Sequence, residues 1–224
     1  MEFPRRIRHS HLMDVADLRR SYEWGGLTLE DLASDPFAQF AQWFADALAC
    51  PEIPEPNAMT LATADASGIV SSRIVLLKGF DSDGFRFFTN YDSRKSRQIG
   101  QNPSVALSFY WAPLERQVKI LGRCAAVSRE DSERYFRSRP RESQLGAWVS
   151  PQSEVIPSRD VLETRYRELE TEYAGREIPL PPNWGGFCVD ASSVEFWQGR
   201  PSRLHDRLRY RKSAEGWLIE RLAP

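Results

Sequence analysis

The sequence predicts a mainly β protein with flanking helices, built on an antiparallel sheet or barrel. Three observations carry that prediction. Five strand-like runs follow one another between residues 58 and 127. Short turns join them, and two of these, Asp65-Ala-Ser-Gly68 and Asp81-Ser-Asp-Gly84, have hairpin composition. Strands do not alternate with helices here, and there is no G-x-G-x-x-G or Walker loop, which argues against a Rossmann or P-loop enzyme.

Residues 1–17 read as a flexible tail and the rest as one domain. A short charged helix is expected over 14–22, broken at Trp24-Gly25-Gly26. Asp35 is placed to cap a helix with Pro36 at its first position, and Phe37, Phe40, Trp43, Phe44, Ala47 and Leu48 then recur at helical spacing. That stripe reads as core. After the connector Cys50-Pro-Glu-Ile-Pro-Glu-Pro the period becomes strand-like, with strands expected at 58–64, 70–78, 85–89, 105–111 and 117–127 and a helix-like run at 95–100. Ser128 opens a helix with Glu130 and Asp131 in its first turn, and Pro140 closes it. A second helix is expected over 158–173. Closing strands are expected at 187–189, 194–198, 203–210 and 217–221.

At 224 residues with 41% apolar and 27% charged residues, the chain can bury a substantial core. Its formal net charge of -1 argues against a general nucleic-acid binder. Cys50, Cys124 and Cys188 are scattered and odd in number, which suits a reducing compartment without disulfides. His9 and His11 have no cysteine nearby, so no metal site is expected. No apolar run approaches the roughly 20 residues of a membrane span and the N-terminus lacks a signal-like apolar stretch, so the expected location is the cytoplasm.

Arg203, His205 and Arg207 stand at i, i+2 and i+4. On a strand they would share a face and offer two guanidiniums and an imidazole to an anion. A solvated basic edge strand explains the spacing equally well. Arg73-Ile74-Val75-Leu76-Leu77-Lys78 is an apolar strand bracketed by cations of opposite parity. These cations serve different sites unless the strand twists or bulges near Gly79. Ser93, Arg94 and Lys95 at a helix start are the parts of a phosphate cradle, or else a solvated turn. Tyr135 and Arg139 share a helix face, with Ser143 just beyond, and together would bind a second phosphate or form a surface ion-pair face. Gln117 is placed to hydrogen-bond a heterocycle, and Trp197 to pack on a ring. Two phosphate-type sites with ring-binding groups suggest a phosphorylated aromatic cofactor and a phosphorylated substrate.

The same residues resemble the pyridoxine/pyridoxamine 5′-phosphate oxidase family from about residue 18 to 224. The supporting motifs are Arg73-Ile-Val-Leu-Leu-Lys78, Ser93-Arg-Lys95, Leu114-Glu-Arg-Gln-Val118, Tyr135-Phe-Arg-Ser-Arg-Pro-Arg-Glu-Ser-Gln144, Gly146-Ala-Trp-Val-Ser150, Trp184-Gly-Gly-Phe187, Glu195-Phe-Trp-Gln-Gly199, Arg203-Leu-His-Asp-Arg207 and Arg221-Leu-Ala-Pro224. The resemblance implies an FMN-binding split β-barrel of Greek-key type, forming a homodimer with FMN at the interface. It divides the domain into a lid segment and helix (18–50), barrel strands (57–127), a helical insertion (128–175) and C-terminal strands (184–224). It implies FMN contacts from residues 73–78 (Arg73 to Lys78), Phe88, Thr89, Arg94, Lys95, Gln117, Gln152, Ser153, Trp197 and Arg207. Position 88 is Tyr in some members and Phe here. Substrate contacts are implied from Lys78, Tyr135, Arg139, Ser143, Arg203 and His205, with Arg19 to Tyr22 closing as a lid.

The implied reaction oxidises pyridoxamine 5′-phosphate and pyridoxine 5′-phosphate to pyridoxal 5′-phosphate, with O2 as final acceptor. Arg203 and His205 are the implied catalytic pair, positioning C4′ and managing its proton, with His205 neutral and able to accept one. Rival readings are a flavin oxidase of the same fold with another substrate, a non-catalytic FMN or pyridoxal 5′-phosphate binder, and a structural barrel that uses its arginines for ion pairs.

Overall fold

The computed structural model describes Tyr22 and residues 25–224. The expectations for the tail, the short helix before Tyr22, and Arg19 lie outside the described residues. The elements run α1 (Pro36–Ala49), β1 (Ala58–Ala64), β2 (Val70–Leu76), β3 (Gly79–Asp81), β4 (Gly84–Asn90), α2 (Arg94–Gln101), β5 (Ser104–Trp111), β6 (Arg116–Ala126), α3 (Arg129–Ser138), α4 (Arg141–Val149), α5 (Asp160–Glu172), β7 (Trp184–Gln198), β8 (Asp206–Ser213) and β9 (Gly216–Arg221).

All strand pairings are antiparallel, in the order β2-β1-β5-β6-β7-β4-β3, with β8 on β7 and β9 on β8. The 15-residue β7 holds the architecture together. It pairs with β6 along its length, with β4 through its first half and with β8 through its second. The sheet therefore divides around β7 and curls into a half-open barrel, the expected split barrel. The expectation of two short strands at 187–189 and 194–198 is corrected: the polar stretch between them resembles a break, but a bulge at Ser192 of β7, opposite Leu121 and Gly122 of β6, carries the pairing across it. Gly84 turns β3 into β4 with φ +138°, and a Cβ there would lie 2.2 Å from the Val189 carbonyl oxygen.

Helix α1 plugs the barrel. Asp35 accepts a hydrogen bond from the Ala38 amide, as the cap and Pro36 predict. Phe40, fully buried, contacts Phe80, Phe85, Phe109 and Trp111. Burying such a ring contributes about 1.5–3 kcal/mol. A second cluster, Phe136, Leu145, Leu169, Ile178 and Trp184, joins α3, α4 and α5 to β7. Ser128 caps α3 by accepting from the Asp131 amide.

Helix α4 was not expected, because Pro140 reads as a terminator. It does end α3, yet its carbonyl also accepts from the amides of Ser143 and Gln144 and so begins the next helix. Proline is excluded from a helix interior but suits its start. No helix among the described residues is long and apolar enough to cross a membrane.

Candidate active site

A cavity of about 610 Å³ opens between β2, β4, the α3–α4 corner and the loop after α4. Arg73, Ile74, Val75, Leu76 and Lys78 line one side, and Phe88, Thr89 and Lys95 another. Tyr135, Arg139, Ser143 and Gln152 line the rest. Arg73 and Lys78 share it despite their opposite parity because β2 ends at Leu76 rather than running to Lys78, whose amide donates instead to the Arg86 carbonyl. Leu77 turns into the core and is buried.

The cavity is cationic and its cations are held by neutral groups. Arg73 donates to the Leu61 carbonyl at 3.1 Å and to Thr63 Oγ1 at 2.8 Å. Lys95 Nζ donates to Ser93 Oγ at 3.1 Å and to Gln152 Oε1 at 2.8 Å. Burial, and then the charge of Arg73, push the Lys95 ammonium down to about 8. Gln152 also accepts from Thr89 Oγ1 at 3.1 Å, which ties the α4–α5 loop to β4. Ser93 sits at the start of α2 without capping it through its side chain; its hydroxyl donates to the Asn90 carbonyl.

Arg139 lies just past α3, with its guanidinium 4.6 Å from the centre of the Trp184 ring. Its Nη1 is buried with no hydrogen-bond partner among the described residues. Such an atom is costly unless a ligand satisfies it. Tyr135 stacks on Phe88 at 4.0 Å, and Trp184 lies parallel beyond Phe88 at 5.7 Å. Trp184 and Asn90 are lining residues that sequence reasoning missed. The Trp184-Gly-Gly motif was a signal for the first. Arg94 and Ser153 sit off the lining, joined by a 3.2 Å bond from the Arg94 amide to Ser153 Oγ.

The remaining predicted residues form a second group on the outer face of β6, β7 and β8. Gln117 pairs with Trp197, and Trp197 with Arg207, so the three form one cross-strand row. Arg207 Nε donates to Glu195 at 2.9 Å and its Nη1 to the Ala223 carbonyl at 2.8 Å. Glu195 also holds Lys119 at 2.9 Å. Burial would raise the Glu195 carboxyl, but hydrogen bonds from Arg207 and Lys119 outweigh it and hold the group below its ordinary range. The Trp197 ring lies 4.7 Å from His205 and 5.6 Å from Tyr22.

One expectation is corrected here. Arg203, His205 and Arg207 do not share a strand face, because β8 begins at Asp206. Pro201 opens a tight turn in which Ser202 (φ 57°) and Arg203 (φ 61°) are left-handed, and Arg203 is exposed. Two consecutive non-glycine residues in that region cost about 1–3 kcal/mol each. Asp206 fastens the turn: it accepts from the Leu27 amide at 3.0 Å and from Arg221 at 2.7 Å. Gly26 and Tyr22 both lie close by: a Cβ on Gly26 would meet Arg200 Nη1 at 2.8 Å, and one on Gly199 the Tyr22 ring at 2.7 Å.

Sequence profiles match two stretches: pyridoxamine 5′-phosphate oxidase over residues 47–173, and the pyridoxine 5′-phosphate oxidase C-terminal dimerisation region over residues 184–224. The chain belongs to the pyridoxamine 5′-phosphate oxidase family. Relatives named pyridoxine/pyridoxamine 5′-phosphate oxidase are 55% identical over 213 residues in Bordetella petrii (95% of this chain, 100% of the relative). One in Burkholderia mallei is equally similar, 55% identical over 94% of this chain and 99% of its own length. Among solved structures, PhzG from Burkholderia lata 383, in complex with tetrahydrophenazine-1-carboxylic acid, superposes with TM-score 0.85 at 28% identity, over 92% of this chain and 100% of that one. A pyridoxamine 5′-phosphate oxidase-related, FMN binding protein from Nostoc punctiforme has TM-score 0.66 at 19% identity, covering 86% and 100%, and speaks to the fold.

Membership of the family makes this chain a flavin-dependent oxidoreductase with FMN as cofactor and a C-terminal dimerisation region. The residues present fit FMN. Arg73 and Lys95 crowd two positive charges that an anion would relieve, and Gln152 accepts from Lys95.

Proposed function

We propose that this protein oxidises pyridoxamine 5′-phosphate and pyridoxine 5′-phosphate to pyridoxal 5′-phosphate. One observation carries the reading: Lys78, Tyr135, Arg139 and Ser143 converge on one cavity, with a buried Arg139 nitrogen left unsatisfied. That set suits a substrate phosphate beside a second, cofactor-directed set at Arg73, Thr89, Lys95 and Gln152. FMN, held by Arg73, Thr89, Lys95 and Gln152, would supply the two-electron redox chemistry, with hydride from the substrate and O2 as final acceptor giving H2O2, and water would hydrolyse the imine formed from the amine substrate to aldehyde and ammonia.

The protein's part is placement. Lys78 and Arg139 neutralise the substrate phosphate, and Tyr135 and Ser143 hydrogen-bond it. Holding the phosphate would fix the orientation of C4′ within the cavity, and such orientation supplies much of the rate. The row Gln117, Trp197 and Arg207 is not part of the lining of its own chain's cavity. In this reading it completes the FMN site of a second copy in a homodimer, with FMN at the interface. Arg203 and His205 then reach the substrate from that copy, and Tyr22 closes over it.

PhzG supports a second reading, a related oxidase with another substrate, because its fold match is close. Its 28% identity stands against 55% for the relatives named oxidases of the B6 phosphates. The deciding test mixes FMN-loaded protein anaerobically with pyridoxamine 5′-phosphate. Bleaching of the flavin band, then recovery with peroxide on admitting air, is expected. A flavin that stays oxidised would discard this substrate and favour the second reading.

A further inference from the structure

His205 has a neighbour with no role in the preceding assignments. The main-chain amide nitrogen of Arg200 lies 3.1 Å from His205 Nδ1. A peptide N–H can only donate, so Nδ1 must be bare and accepting. A neutral imidazole with bare Nδ1 carries its proton on Nε2. The contact is built by the turn itself. Arg200 precedes the tight turn at Pro201–Arg203, and the left-handed Ser202 and Arg203 curl the chain back until the ring at 205 meets the amide at 200.

The surroundings oppose a second proton. Protonating Nδ1 would set two N–H groups against each other and forfeit the amide bond. The charged groups on neighbouring elements are Arg203 in the turn, the Arg200–Asp206 pair at 3.5 Å, and Arg221 of β9 at 2.7 Å from Asp206. Burial, followed by the charge of Arg203, holds the imidazole below its ordinary pKa. The ring packs at a tilt against Trp197 at 4.7 Å and edge-on to Tyr22 at 5.4 Å.

We propose that the Arg200 amide fixes His205 as its Nε2–H tautomer, so that the ring offers substrate a hydrogen-bond donor and not a base. The role rests on the proposed function, whereas the tautomer does not. It replaces the expectation that neutral His205 accepts a proton, because the nitrogen able to do so is already occupied. The group it suits on the substrate is an oxygen with a free lone pair, such as a hydroxyl or phenolate. Any proton the substrate sheds then passes to water.

Two measurements test this on the FMN-loaded protein. In a sample with ¹⁵N-labelled histidine, the His205 resonances, identified by their loss in His205→Gln, are expected to show a protonated Nε2 and a bare Nδ1 at neutral pH. A protonated Nδ1, alone or together with Nε2, would overturn the proposal. Turnover of pyridoxamine 5′-phosphate then compares two amides. Gln places its N–H2 near the Nε2 position, whereas Asn reaches only the Nδ1 position. His205→Gln is expected within about tenfold of wild type and His205→Asn about 100-fold down, as for one charge-assisted hydrogen bond kept or lost. A general base would make both variants lose about 10²–10⁴-fold, and that pattern would also overturn it. If the wild type turns over no pyridoxamine 5′-phosphate, the substrate reading falls, and the nitrogen shifts alone decide the tautomer.

Discussion

Replacing Lys95 with Met is expected to weaken FMN binding by about 10- to 100-fold and to abolish its dependence on pH above neutrality. Lys95 Nζ is anchored by two neutral oxygens, at 2.8 Å on Gln152 and 3.1 Å on Ser93, so its charge remains available to an anion. A phosphate charge about 4 Å away attracts it by about 4 kcal/mol at an effective dielectric constant of about 20. Desolvation of both ions cancels much of this, leaving about 1.5–3 kcal/mol, the usual net worth of a hydrogen bond to a charged group. The pH dependence follows from the ammonium, which burial and Arg73 depress to about 8 in the free protein. A bound anion raises that pKa. Below pH 8 Lys95 is protonated whether or not FMN is bound, and the dissociation constant is flat. Above it, the free protein has lost a proton that the complex must regain, so the constant climbs by up to about tenfold per pH unit until the bound state itself titrates. Quenching of FMN fluorescence on titration with apoprotein, from pH 7 to about 9.5, measures both effects. A Lys95→Met constant within about threefold of wild type at pH 7, or a wild-type constant that stays flat above pH 8, would refute the reasoning.

Arg139→Ala should raise KM for pyridoxamine 5′-phosphate by about 10- to 100-fold while leaving FMN affinity nearly unchanged, and an unchanged KM would move the substrate phosphate elsewhere. Glu195→Gln should lower stability at pH 7 by about 1–3 kcal/mol, because Arg207 and Lys119 lose a charged acceptor. Since the Glu195 pKa is depressed, its stabilisation is present above the ordinary carboxyl pKa and lost as pH falls through the folded value, so the gap in Tm between variant and wild type should close in acid. Ser202→Gly should raise Tm by about 2–4 °C through relief of a left-handed serine, and should loosen Arg203, read as a fall in kcat. Gly84→Ala should cost more than about 3 kcal/mol, because its Cβ would collide with the Val189 carbonyl, and thermal unfolding would register the loss.

The barrel was legible where sequence pattern and tertiary packing agree. Phe40, Trp43 and Ala47 keep helical spacing because α1 has one buried face, and alternating burial along β1 and β5 mirrors their alternating sequence. It was illegible where a residue has two opposite local meanings, as Pro140 ends one helix and begins the next. Within the site, Arg73 and Lys78 were found by type, but their meeting in one cavity depends on where β2 stops pairing, which their own spacing does not encode. The Arg203–Arg207 spacing misled for a related reason: alternation implies a shared face only on extended backbone, and two left-handed residues intervene. Glu195 gave no sequence signal as a support for Arg207, since that contact is made across strands.

The final residues have a practical meaning for handling this protein. Arg207 is bracketed by the chain end, with its Nη1 on the Ala223 carbonyl and its own carbonyl accepting from the Leu222 amide. An affinity tag read through from Pro224 would tug on the Arg207 side chain, which we propose contacts FMN, and clipping residues 222–224 would release it. A preparation tagged at that end should come off the column paler than one tagged elsewhere, with nothing wrong in its fold.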